Sequence, residues 1–117
     1  MSINHVLAVV PVSDMDAARP FYERLFGRPP DNQPMVTLDE WRITDSGWVQ
    51  VFLDPERAGS TLLNFAVDDL EPHVAELGVR GLSFDSTETV NKGVQLSAIV
   101  DPDGNRITLL GNFRTTY

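Results

Sequence analysis

The 117-residue sequence has no cysteine and a single lysine, Lys92. Without thiols there can be no disulfide, thiolate zinc site, iron–sulfur cluster or cysteine nucleophile. Histidine is scarce too, with only His5 and His73. Basic residues number 9 against 17 acidic ones, a net charge of −8. A chain so acidic repels the phosphates of nucleic acid and anionic lipid, so neither is expected as a partner. No apolar run approaches the ~20 residues needed to span a bilayer. The opening segment MSINHVLAVVPVSD has neither a basic start nor a small-residue cleavage site, so no signal peptide is expected, and a cytoplasmic location is. Neither a Gly-x-Ser-x-Gly elbow nor a phosphate-binding loop occurs, which leaves serine-hydrolase and nucleotide-hydrolase readings without support.

What is present is the composition of an ordinary globule, 42% hydrophobic and 9% aromatic. A chain of this mass folds to roughly 6,300 Å² from roughly 19,000 Å², enough burial for a core without crosslinks. The β-branched segment 5–10, bounded by Pro11, predicts a strand. Ser13 as N-cap, Asp16 in the first turn and Gly27 as a stop predict a helix ending at Phe26, with a kink or tight entry at Pro20. Phe21, Leu25 and Phe26 form its apolar stripe. Residues 28–34, rich in proline, predict a loop, followed by strands at 35–38 and 40–44. The turn Asp45-Ser46-Gly47 joins the latter to a strand at 48–53 as a hairpin, and 54–60 form a short connector.

The order then recurs. A strand at 62–67 leads to a capping box of Asp68 and Glu71 and a helix over 69–80 closed by Gly81, with Pro72 tolerated in the first turn and His73 on the surface. A marginal strand at 82–84 and strands at 94–100 and 107–110 follow, the last two joined by the turn Asp101-Pro102-Asp103-Gly104-Asn105. That turn is no calcium-binding EF-hand, because its glycine comes too early and Asn112 stands where the terminal glutamate should be. Val12-Ser13-Asp14 matches Val67-Asp68-Asp69, and Val49-Gln50 matches Ile107-Thr108, so the chain reads as two similar halves.

Certain of these residues resemble the vicinal oxygen chelate superfamily of glyoxalases, bleomycin resistance proteins and extradiol dioxygenases. They are His5-Val6, Phe21-Tyr22 with Leu25-Phe26-Gly27, Val67-Asp68-Asp69-Leu70, and Asp101 through Ile107. The resemblance covers residues 3–112 and implies an α+β fold of two βαβββ modules, curled mixed sheets around a cleft with helices outside. One glyoxalase-like domain is expected, with module one at about 3–53, the connector at 54–60 and module two at about 61–112. Metal-dependent members draw ligands from the first and fourth strands of each half. Carried over, those positions are His5, Gln50, Leu62 and Thr108. His5 and Gln50 are acceptable donors, whereas leucine cannot donate and a neutral threonine hydroxyl donates poorly.

Strand alternation assigns faces independently of the family. Val6, Ala8 and Val10 are expected toward the helix, leaving His5, Leu7 and Val9 on the other side. Trp48, Gln50 and Phe52 oppose Val49, Val51 and Leu53. In the second half Leu62, Asn64 and Ala66 join Arg106, Thr108 and Leu110 on the cleft face. No carboxylate falls among these positions. The aromatics Trp41, Trp48, Phe52 and Phe113 are candidates for stacking on a planar ligand, and Gln95 and Ser97 for hydrogen bonding to one. The expected ligand-binding set is therefore His5, Leu7, Trp48, Gln50, Phe52, Asn64, Gln95 and Thr108, with no catalytic residue.

Three readings follow from the resemblance. The first is a binder of a small amphipathic or aromatic molecule that uses no cofactor. The second is a divalent-metal-dependent lyase or dioxygenase using His5 and Gln50. The third is a dimerisation module with a vestigial cleft. A homodimer is expected, its cleft built within one chain or swapped between two.

Overall fold

The computed structural model describes residues 2–116 and contains two four-stranded sheets. In the first module, β1 (Val6–Val12) leads into α1 (Met15–Phe26), then β2 (Asn32–Met35), β3 (Leu38–Arg42) and β4 (Gly47–Leu53). The second module repeats this with β5 (Leu62–Ala66), α2 (Leu70–Val79), β6 (Glu88–Thr89), β7 (Gln95–Val100) and β8 (Arg106–Gly111). The sheet orders are β1-β4-β3-β2 and β5-β8-β7-β6, with β1 parallel to β4 and β5 parallel to β8 and every other pair antiparallel. Neither sheet closes, and the α+β architecture of two βαβββ modules is the expected one.

Several local expectations need correction. The N-cap of α1 is Asp14, whose side chain accepts from the Asp16 N–H at 2.9 Å. Ser13 is occupied elsewhere: its backbone N–H and its hydroxyl both donate to Asp103, across the module boundary. At α2 the N-cap is Asp69, without a side-chain capping bond, so the expected Asp68–Glu71 box does not form. Residues 32–34, placed in a loop, form edge strand β2 together with Met35, and the rest of the strand placed at 35–38 is in part the turn after it. Pro34 is tolerated there because an edge strand leaves one side unpaired and the β2–β3 register is irregular. Leu82 is buried but belongs to no strand; β6 at Glu88–Thr89 takes that place in the sheet.

One apolar core joins the modules. Val10, Val12, Val49, Val51 and Trp41 of the first sheet, Tyr22 and Leu25 of α1, and Leu63, Ile107 and Leu109 of the second belong to one buried cluster. Phe26 of α1 packs edge-on against Phe65 of β5, with centroids 5.7 Å apart at 88°, a favoured aromatic geometry. On α1, Arg19 grips buried Asp39 through Nε at 2.7 Å and Nη2 at 3.1 Å. Gly27 closes α1 in the left-handed region, φ 73°, and a Cβ there would lie 2.9 Å from the Arg80 guanidinium. Arg80 donates to the carbonyl of Arg24 at 3.1 Å, so a cation from module two caps the negative end of the first helix.

The turn between β7 and β8 supplies the main polar bond between halves. Asp101 accepts from the Tyr22 hydroxyl at 2.7 Å, from Asn105 Nδ2 at 2.8 Å, and from the backbone N–H groups of Asp103 and Asn105, both at 2.9 Å. Asn105 Nδ2 also donates to the carbonyl of Pro11 in β1 at 2.9 Å, and its Oδ1 accepts from Gly59 and Thr61, both at 3.0 Å. Gly59, at φ 100°, has no room for a side chain: a Cβ would lie 2.6 Å from the Asp103 carbonyl.

Tyr22→Phe removes one charge-assisted bond to Asp101 and should lower stability by about 1–3 kcal/mol, as read by urea denaturation. Burial first, then the adjacent charge of Asp101, pushes the Tyr22 phenol far above its ordinary value of 10.0. The folded chain keeps this phenol protonated where the unfolded chain ionises it, so its stabilisation is present below about pH 10 and is lost as pH rises further. The difference in 295 nm absorbance between wild type and Tyr22→Phe should show no Tyr22 ionisation until the alkaline unfolding transition.

Candidate functional site

The helix-side faces of both sheets are committed to the core, which leaves the opposite faces open. On the first sheet the register builds three cross-strand rungs over β1, β4 and β3. They are Leu7–Trp48–Arg42, Val9–Gln50–Glu40 and Pro11–Phe52–Leu38. On the second sheet the matching rungs over β5, β8 and β7 are Leu62–Arg106–Val100, Asn64–Thr108–Ala98 and Ala66–Leu110–Leu96. Both open faces carry exposed apolar side chains, with Leu7 and Val9 each 47% exposed, Leu62 75% and Val100 53%.

Of the residues expected to meet a ligand, Leu7, Trp48, Gln50 and Phe52 share the open face of the first sheet. His5 stands just before β1, with its ring edge-on to Trp48 at 5.3 Å. Asn64 and Thr108 are cross-strand neighbours on the open face of the second sheet. Gln95 is not on that face: its register puts it with Ser97, Leu109 and Ile107 on the helix side, and Ser97 spends its hydroxyl on the Asp85 carbonyl at 2.6 Å. Of the stacking candidates, Trp41 is a core residue, 0% exposed, with its indole N–H donating to the Arg28 carbonyl at 3.0 Å. His73, expected on the surface, is half-buried and lines a cavity of about 370 Å³ on the helix side, with Phe26, Ile43, Phe65 and Arg80.

Two residues of this face escaped the sequence reading, and both come from β3. Glu40, 9% exposed, corrects the expectation of a cleft without carboxylates. Its Oε2 accepts from Gln50 Nε2 at 2.6 Å and its Oε1 from Asn32 Nδ2 at 3.2 Å. Arg42 holds its guanidinium 5.0 Å from the centre of the Trp48 ring, a cation–π contact. A turn at 45–47 would pair Trp48 with Thr44 and Gln50 with Arg42; the loop is instead 43–46, and the register it sets pairs Trp48 with Arg42 and Gln50 with Glu40. Trp48 Nε1 is the buried side-chain donor without a partner among the described residues. An unpaired buried donor is costly unless something outside the chain supplies an acceptor.

The family's metal positions do not make a ligand set here. His5 Nδ1 is within 2.8 Å of Asn4 Oδ1, the Gln50 amide nitrogen is bonded to Glu40, Leu62 has no donor atom, and Thr108 offers a neutral hydroxyl. Among the described residues no three His, Cys, Asp or Glu side chains converge.

The match to known proteins is now decisive. A family model described as the Glyoxalase/Bleomycin resistance protein/Dioxygenase superfamily matches residues 2–109. The chain belongs to that superfamily. Among solved structures it is similar to a glyoxalase/bleomycin resistance protein from Catenulispora acidiphila DSM 44928, at 29% identity and TM-score 0.85, covering 92% of this chain and 96% of that one. A bleomycin-binding protein complexed with bleomycin aligns at 22% identity and TM-score 0.75, covering 93% and 98%. A lactoylglutathione lyase from Agrobacterium tumefaciens aligns at 19% identity and TM-score 0.70, covering 92% of each chain. At those identities the last two share the fold. No curated protein matches. None of the described helices is long and apolar enough to cross a membrane.

Arg42, beside Trp48, is braced from outside. Asp31 accepts from the Arg42 backbone N–H at 2.7 Å and from Arg28, which in turn donates to the Arg42 carbonyl at 2.7 Å. Chiefly through the Arg28 hydrogen bond, the Asp31 carboxyl is held below its ordinary value of 3.8. A depressed carboxyl stabilises the fold above that value, and the stabilisation is lost as pH falls below it. Asp31→Asn should therefore shrink the loss of melting temperature between about pH 5 and about pH 2.5, relative to wild type.

Proposed function

We propose that this protein is a metal-free binder of a small amphipathic or aromatic molecule, held on the open face of the first sheet and enclosed when a second copy of the chain covers it. The observation that carries this reading is Trp48: its indole N–H is buried and unpaired, beside the exposed side chains of Leu7 and Val9. Such a mixture of apolar surface with a few unmet polar atoms is what small-molecule sites offer. The structural likeness to a bleomycin-binding protein solved with bleomycin supports a ligand role for this fold. The poor donor set at His5, Gln50, Leu62 and Thr108 supports the absence of a resident metal, and so counts against the lyase and dioxygenase alternative.

The second copy is argued from surface. The chain exposes 7228 Å², roughly 900 Å² more than the ~6,300 Å² normal for its mass. Leu7, Val9, Leu62 and Val100 are exposed on the two open faces, a pattern that marks an interaction surface. A cleft between the first sheet of one copy and the second sheet of another would bring His5, Trp48 and Gln50 opposite Asn64 and Thr108. The protein is read as acting in the cytoplasm, in keeping with its lack of cysteine.

Three measurements test this. A bound aromatic probe at a hundred times its Kd should stabilise the protein by about 2.7 kcal/mol, and Trp48→Ala should abolish that shift without added metal. Protein purified without chelator and carrying a stoichiometric divalent ion would overturn the metal-free reading. In sedimentation velocity the wild type should run as a dimer, and Leu62→Asp, which puts a charge on the second open face, should run as a monomer.

A further inference from the structure

Glu40 is a buried carboxylate with no cation. Among the described residues its oxygens meet no arginine, lysine or histidine, only the amide nitrogens of Gln50 and Asn32. Carboxylates rarely remain buried without a positive partner, because two neutral amides offset only part of the lost hydration. The arrangement also sets the direction of both amides. Only an NH₂ group can face a carboxylate, so the carbonyl oxygens Gln50 Oε1 and Asn32 Oδ1 must turn away from it. Neither oxygen accepts from a described side chain or backbone group, and neither is among the buried unpaired atoms, so both reach the surface of the open face.

We infer that Glu40 is the positioning residue of this face: by fixing Gln50 and Asn32 with their carbonyl oxygens outward, it makes the face select an organic ammonium group carried on an apolar body. This rests on the reading of the open face as a ligand site. Three oxygen groups, one of them anionic, give a multi-donor cation the acceptors it needs. A divalent metal fits them less well, since it requires six or more oxygens with several anionic ones among them. The neighbouring rungs give the ligand its direction. Arg42 already occupies the Trp48 ring on one side. On the other side Phe52 and Leu38, one rung of about 6.8 Å along the strand, offer apolar surface for the body. The ammonium therefore sits at Gln50, away from the guanidinium.

The experiment compares 2-phenylethylammonium, 2-phenylethanol and phenylacetate by calorimetry on the wild type, Glu40→Gln and Asn32→Ala. The wild type should prefer the ammonium over the alcohol by about tenfold or more, as for a charge-assisted bond, and should bind phenylacetate most weakly. Glu40→Gln, which conserves size, should lose that preference, and Asn32→Ala should lose part of it. In ¹⁵N-labelled wild type the Gln50 side-chain amide resonance should move on adding the ammonium but not the alcohol. Equal binding of ammonium and alcohol by the wild type, or an undiminished preference in Glu40→Gln, overturns the inference alone. Failure of all three probes to bind the wild type overturns the small-molecule reading and this inference together.

Discussion

The densest polar link between the two halves is one buried carboxylate. Asp101 lies 4% exposed in the turn between β7 and β8 and accepts from a phenol, a side-chain amide and two backbone N–H groups. A charge removed from water must be met by several donors or it costs too much to keep. Here the donors come from both modules. Tyr22 brings α1 to the turn, and Asn105, held by Asp101, passes the connection on to β1 at Pro11 and to the connector at Gly59 and Thr61. The second link, Arg80 at the end of α1, lies at the opposite end of that helix from Asp14 and Ser13. α1 is thus tied at both ends to module two.

That constraint has a consequence for function. With the helices and both inner sheet faces drawn into one apolar core, the opposite faces cannot also be covered within a single chain. Leu7, Val9, Leu62 and Val100 stay exposed for this reason, not through poor packing. The core that stabilises the chain leaves over the surface on which a ligand or a second copy can sit.

Much of the fold could be read in advance, because its signals are local or periodic. The recurrence of Val12-Ser13-Asp14 as Val67-Asp68-Asp69 placed both helix starts, and the true caps, Asp14 and Asp69, lie within those matched triplets. Alternation correctly put Val49 and Val51 inside and Trp48 and Gln50 opposite. What failed was governed by distant partners. Ser13 has the chemistry of a cap, but Asp103, ninety residues away, claims both its donors. Proline made 28–34 look unstructured, whereas an edge strand needs only one of its two sides bonded. Gln95, a candidate hydrogen-bonding residue, could not be given a face in advance because the phase of a strand is set by its neighbour's register, which pairs it with Gly111.

The site divides along the same line. By itself the sequence determined the residue types and their period: a cysteine-free, acidic chain of two repeats, with aromatic and amide side chains alternating on one face of β4. Only the folded chain settled which of its 17 acids matter. Asp101, Asp39 and Glu40 are equally ordinary in the one-dimensional list, yet one joins the modules, one is gripped by Arg19, and one lies buried without a cation on the open face. The reason is physical. A carboxylate's behaviour depends on its hydration and on the donors within about 3 Å of it, and those donors are brought there by pairing and packing between residues remote in the chain.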